Sequence, residues 1–346
     1  MRLLERGEEK GNEPIEVVGK KLMKKLVIFC DSYDEIETAL YLITHNRQDR
    51  LITIVIPGNH DLFEFFKTVN KKLFHNLISM KYFKLYSGQL AKGSMITKIF
   101  HIIPDIVKER RYLDGIFRRY FTGLSDAEVY FLARYMNPVT FYLVKKLGKN
   151  NSLIYMHYAR NADVVEKYTP RNINDLVVLT IYKLVYGREI IMGKLPYMRG
   201  FACIPDNFLR EEVDRAIDFE KRNEMMKGFN LDQFENIFEM SKYSVVYFDQ
   251  NLIRTSDIPD EDVFKRELAQ IFDILAMYFP EGEIARKYHP HYLEEKMRIG
   301  IGDILPDFIP AEFLFNENVK MYLSLFSSSI SNVRKGLAVS IADLIS

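Results

Sequence analysis

Three short segments near the C-terminus set polar residues at the edges of apolar runs. They are Lys287-Tyr288-His289-Pro290, Ile309-Pro310-Ala311-Glu312 and Ser327-Ser328-Ser329. His289 is suited to donate a hydrogen bond to a phosphate oxygen or to protonate a departing one, and Pro290 fixes the backbone beside it. Hydroxyls and backbone N–H groups of a serine run at a helix start make a seat for phosphate. Glu312 is suited to accept two ribose hydroxyls. Each residue also has a plain reading: a structural histidine, an ordinary Ser N-cap, a carboxylate complementing a helix dipole. Order and spacing, more than any one residue, point to a nucleotide phosphate.

The elements that must position these residues follow a rhythm. From Lys25 short β-branched or aromatic runs alternate with longer amphipathic ones, which predicts βαβ units and a mainly parallel sheet. Strands are expected at KLVIFCDS, LITIVIPGN, YFKLYS, AEVYFLA and NSLIYMHY, filling residues 25 to 158. Asp31 and Ser32 end the first and start a helix. Further helices are expected at DLFEFFKTVNKKLFHNLI, at SMITKIFHIIPDIVKER, with Pro104 kinking or ending it, and at PVTFYLVKKLG. YTPRNINDLVVLTIYKLVYG also reads as helical, before a less regular stretch. A second set runs through strand YSVVYFDQ, helix DEDVFKRELAQIFDILAMYF, strand EIARKYHP, strand VKMYLSLF and helix SSISNVRKGLAVSIADLI. The expected division is a polar extension over 1–22, a Rossmann-like unit over 23–165 and a second over 166–346, with a cleft between the two. Open parallel sheets bind ligands beyond the carboxyl ends of their strands. Asp249 with Gln250, His289 with Pro290, and Ser327 to Ser329 all fall there.

Bulk properties narrow the field. The chain has 346 residues, 48 basic against 47 acidic, and a formal net charge of +1, so no global field favours nucleic acid or an anionic surface. Cysteines occur only at Cys30 and Cys203, which argues against a disulfide framework and fits a reducing, cytoplasmic setting. The first apolar run, LVIFC, is too short for a signal-peptide core, and no segment approaches a membrane span. The seven histidines are scattered without metal-ligand spacing. GIGD at 300–303 lacks the third glycine and preceding strand of a dinucleotide fingerprint, and no nucleophile elbow is present.

The succession Lys-x-His-Pro, Ile-Pro-Ala-Glu, then an apolar strand into Ser-Ser resembles bacterial sialyltransferases that use CMP-sialic acid. The resemblance is to glycosyltransferase family 52, the lipooligosaccharide sialyltransferases, with polysialyltransferases as cousins, and is clearest over residues 243 to 336. It implies a GT-B fold, two Rossmann-like domains around the active site, and an inverting, metal-independent transfer with no cofactor beyond the CMP-sugar substrate. By the same resemblance His289 meets the CMP phosphate, Ser327 and Ser328 hold it, Glu312 takes the ribose, and the loops around Pro290 and Pro310 take the cytosine. The implied partners are a CMP-sugar donor and a glycan acceptor such as lipooligosaccharide or capsule, with no nucleic acid. Homodimerisation and contact with the inner face of a membrane stay open.

The chain departs from that pattern at the base. The family's acidic pair followed by glycine is missing. Its counterpart near NLIRTSDIPDED is Ser256-Asp257-Ile258, which makes Asp257 the first candidate for the base. His157, at the end of NSLIYMHY, is the second. Asp257 also reads as a turn and cap residue. Donors other than CMP-sialic acid, such as CMP-Kdo or a UDP-sugar, and a nucleotide-binding protein without transfer activity are the rival readings. KERRYLDGIFRRYF concentrates five basic residues with aromatics and suits an anionic acceptor, a membrane surface, or merely a solvated helix face.

Overall fold

A computed structural model of the chain describes residues 23–69, 73–80, 95–132, 138–156, 166–167, 169–170, 173–187, 192–194, 201–203, 215–229, 231, 234, 238, 240–249, 261–288, 301–325, 333 and 336–342. Two parallel sheets organise them. The first has six strands in the order β3-β2-β1-β4-β5-β9: β1 (Lys24–Phe29), β2 (Arg50–Pro57), β3 (Asn76–Met80), β4 (Ala127–Phe131), β5 (Ser152–Met156) and β9 (Arg215–Ile217). The second has five in the order β12-β11-β10-β13-β14: β10 (Val245–Phe248), β11 (Ile284–Lys287), β12 (Asp303–Ile304), β13 (Met321–Ser324) and β14 (Leu337–Ser340). A small antiparallel sheet joins β6 (Glu166–Lys167), β7 (Met192–Lys194) and β8 (Phe201–Cys203). The α/β class with two Rossmann-like sheets is as the periodicity implies. The first sheet takes its sixth strand, β9, from beyond residue 165.

Both sheets are buried on two faces, because alternate side chains point to opposite sides. In β1, Leu26 and Ile28 join one core while Val27 and Phe29 join another. In β10, Val246 and Phe248 face the first of these cores and Val245 and Tyr247 a third. The first core is continuous between the sheets. It carries α1 (Ile36–Asn46) and α2 (His60–Thr68) of the N-terminal half, and Ala285, Phe313 and Tyr322 of the C-terminal half. Phe65 of α2 meets Phe313 edge-on at 4.9 Å between ring centroids. Arg222 of α6 (Phe219–Met225) donates to the Thr38 hydroxyl of α1 at 2.8 Å. The outer face of the first sheet is covered by α3 (Met95–Phe121), α4 (Pro138–Leu147) and α5 (Ile173–Tyr186). The third core packs α7 (Glu261–Tyr278) on the second sheet.

Several expected elements shift. The helix expected over residues 61–78 stops at Thr68, and Asn76–Met80 pairs with β2 as a strand. The reason is visible at His75: its N–H donates to the Ile52 carbonyl and its Nδ1 accepts from the Ile52 N–H, which starts the ladder. The strand expected at YFKLYS lies outside the described residues. Pro104 lies inside α3 rather than ending it. The last expected helix does not run to the C-terminus, since Leu337–Ser340 pairs in parallel with β13. Gly336, at φ 87°, turns the chain into that strand, and a Cβ there would stand 2.6 Å from the Val319 carbonyl oxygen.

Candidate functional site

In the second sheet β10 lies between β11 and β13, and Phe248 is level with both Lys287 and Ser324. The ladder runs one residue further, where the Asp249 N–H donates to the Lys287 carbonyl at 2.9 Å. Three adjacent strands therefore end at one carboxyl edge, with Asp249, Tyr288 and Leu325 buried beside each other in register. This is the switch point of a doubly wound sheet, because β11 and β13 leave the central strand in opposite directions. Gln250, His289 with Pro290, and Ser327 to Ser329 follow those three ends in the chain and lie outside the described residues, as do Asp257 and His157.

The lysine of Lys-x-His-Pro has a definite duty. Its side chain is buried, and Nζ donates to the Tyr288 carbonyl at 2.7 Å and the Asp307 carbonyl at 3.0 Å. Charge-assisted hydrogen bonds of this kind contribute roughly 1.5–3 kcal/mol each. Lys287 thus fastens the chain entering His289 to the segment that leads into Pro310. Pro310 is buried and caps a single 3-10 turn, Ala311–Phe313. Glu312 was expected at the start of a helix. It falls instead in this one turn, which stops because Phe313 is drawn into the shared core against Phe65 and Phe234.

The first sheet has an edge of different chemistry. Beyond β1 the Cys30 N–H donates to the Val55 carbonyl, and the chain then enters a 3-10 turn, Tyr33–Glu35. Ser32 precedes that turn without capping it through its side chain. Glu35 reaches back instead, accepting from the Asp31 N–H at 2.7 Å and the Ser32 hydroxyl at 3.2 Å, a variant of the Ser-x-x-Glu capping box. Burial, then the neighbouring Asp31 carboxylate, push the Glu35 carboxyl well above the usual range. Thr140 of α4 donates to the Asp31 carboxylate at 3.0 Å. The result is a carboxyl pair at the β1/β4 switch point, one member favouring its proton. Sequence reasoning treated Asp31 and Ser32 only as a helix start. The signal it passed over is Glu35, four residues after Asp31 in the first turn behind an apolar strand.

In the turn after β1, Tyr33 packs against the shared core. Its hydroxyl is buried without a hydrogen-bond partner among the described residues, and burial, then Asp61 of α2 and Asp307 of the C-terminal half, raise its pKa. Among the described residues no cluster of His, Cys, Asp or Glu is arranged to hold a metal ion. No helix among them is long and apolar enough to cross a membrane.

No protein-family model matches the sequence, and no curated protein matches it. Solved structures align along most of the chain at low similarity. A UDP-N-acetylglucosamine 2-epimerase from Rickettsia bellii is 12% identical, covering 92% of this chain and 79% of its own, with TM-score 0.36. A family 9 glycosyl transferase from Veillonella parvula is 10% identical, covering 93% and 87%, with TM-score 0.39. CalG4, the calicheamicin glycosyltransferase, is 10% identical, covering 94% and 81%, with TM-score 0.40. At scores this low the likeness says nothing of substrate or chemistry, and the two-sheet architecture rests on this chain's own strand pairing.

Proposed function

We propose that the protein is an inverting, metal-independent glycosyltransferase that moves sialic acid, or a related nonulosonic acid, from a CMP-sugar to a glycan hydroxyl. The observation that carries the reading is the register of β10, β11 and β13, which ends three strands at one edge immediately before Gln250, His289 and the Ser327 run. The tie from Lys287 to Asp307 supports it by joining the approach to His289 with the approach to Pro310 and Glu312. In this reading the phosphate sits on this edge, at the strand ends that lead into His289 and the Ser327 run. The β1 edge, where the Asp31 carboxylate accepts from Thr140 with Glu35 beside it, suits the neutral hydroxyls of an acceptor.

In this reading the acceptor oxygen attacks C2 of the sugar, and the C2–O bond to phosphate breaks with its electron pair leaving on CMP. The acceptor proton passes to Asp257, with His157 the second candidate. His289, Ser327 and Ser328 stabilise the charge gathering on the phosphate, and Glu312 holds the ribose. Ser329, Gln250, Pro290 and Pro310 complete the donor pocket.

The test is release of CMP from CMP-sialic acid in the presence of a glycan acceptor panel and a chelator. Turnover in chelator that falls at least about a hundredfold in His289→Ala supports the assignment, that being the usual scale of a general acid–base contribution. Turnover of a UDP-sugar or CMP-Kdo in its place replaces the donor. Donor bound and never consumed by any acceptor leaves a nucleotide-binding protein.

A further inference from the structure

We infer that the outer surface of α3 and α5 is a docking face for an anionic lipid bilayer. On α5, Ile173, Leu176 and Leu184 are 67%, 55% and 66% exposed. With the exposed Thr180 they recur at helical spacing, so they form one stripe along roughly 16 Å of helix, opposite the buried Ile181, Tyr182 and Val185. An apolar stripe turned to water along a whole helix is unlike the scattered exposed hydrophobics of an ordinary surface.

The neighbouring helix supplies charge. α3 lies against α5 through the Arg110 guanidinium, which donates to the Val185 carbonyl, and the Tyr186 hydroxyl, which donates to Glu109. Its outward residues Lys108, Arg111 and Arg118 are exposed and recur on one face, and Lys183 of α5 is exposed as well. The described acidic side chains of these helices do not offset them. Glu109 is buried, and Asp114 is engaged by Lys146 and Tyr142. A cationic row on α3 and an apolar row on the adjoining α5, on a protein of formal net charge +1, are a local feature that complements negative headgroups over an acyl boundary. A second copy of the chain fits less well, because apposing two such faces would bring like charges together.

The test is flotation of the full chain with vesicles of phosphatidylcholine alone or mixed with phosphatidylglycerol. Binding to the mixed vesicles only, weakening as salt is raised, is expected. Reversing Arg111 and Arg118 together (Arg111→Glu, Arg118→Glu) should weaken it by at least about tenfold, each basic residue near an anionic surface contributing roughly a fivefold factor. Leu176→Ser with Leu184→Ser should abolish retention while leaving the thermal midpoint in place. Ile274→Ser with Met277→Ser, an exposed apolar pair on α7, should change nothing. Absent binding, equal binding to both vesicles, or dependence on the α7 pair would overturn the inference. So would a dimer in sedimentation equilibrium that the leucine changes dissociate, with no vesicle binding.

Discussion

The two sheets share a strand order about the centre and differ just past the central strand. In the first, the residue whose N–H extends the ladder is Cys30, followed by Asp31; in the second it is Asp249, followed by Gln250. From there the halves diverge. The β1 edge is stabilised by side chains, with Glu35, Ser32 and Thr140 gathered around Asp31. The β10 edge is stabilised through backbone, with the Lys287 ammonium holding two carbonyls. One topology thus presents two aspartate-bearing edges, one held by a second carboxyl and hydroxyls and the other by a lysine on backbone carbonyls, and under the proposed function that contrast separates acceptor from donor.

The comparison is most severely broken by uncoupling the halves. Phe65→Ala removes a fully buried ring that packs on Phe66, Phe238 and Phe313, and a loss of about 3–5 kcal/mol is expected in denaturant unfolding. A smaller loss would mean that the core between the sheets is not held by α2.

The next effect lies within the C-terminal sheet. Gly302→Ala should cost more than about 1 kcal/mol, since φ is 94° and a Cβ would run into the Ile284 carbonyl. Gly282→Ala, where a Cβ meets nothing within 4 Å, should stay within about 0.5 kcal/mol of the parent. Gly302, the second glycine of GIGD, would then be a backbone spacer between β11 and β12, and no dinucleotide fingerprint.

The β1 edge is sharpened by pH. Because the folded pKa of Glu35 is raised, the folded state binds more protons than the unfolded one above the ordinary glutamate range. Stability from this group is complete at lower pH and is lost as pH rises through the folded pKa. Glu35→Gln should flatten that decline, read from unfolding midpoints across pH 4 to about 8. An unchanged slope would place the proton elsewhere. The smallest effect is expected at the exposed Lys242–Asp303 pair, 2.7 Å apart, where Lys242→Ala should leave the midpoint unmoved.

The sequence made the alternation of strands and helices legible because buried parallel strands such as LVIF and VVYF are continuous apolar runs bounded by polar turns. It misled where short strands sit inside longer apolar stretches. NLISM reads equally as the tail of an amphipathic helix, and only its pairing with β2 decides. LAVS is likewise settled by β13 and by the left-handed turn at Gly336. At the candidate site, the strand ends Asp249, Tyr288 and Leu325 fall in register at one edge, and the residues singled out from the sequence, Gln250, His289 and the Ser327 run, follow them in the chain outside the described residues. The Asp31–Glu35 pair escaped because its significance depends on burial, which no local spacing reports.

The central claim is that the edge after β10, β11 and β13 binds cytidylate while the edge after β1 does not. Thermal unfolding with CMP or UDP tests it most directly, using the parent chain, Ser327→Ala with Ser328→Ala, and Asp31→Asn. The account predicts a midpoint raised by CMP more than by UDP, a shift lost in the serine variant and kept in Asp31→Asn. A shift by UDP alone, no shift at all, or a CMP response abolished only by Asp31→Asn would contradict it.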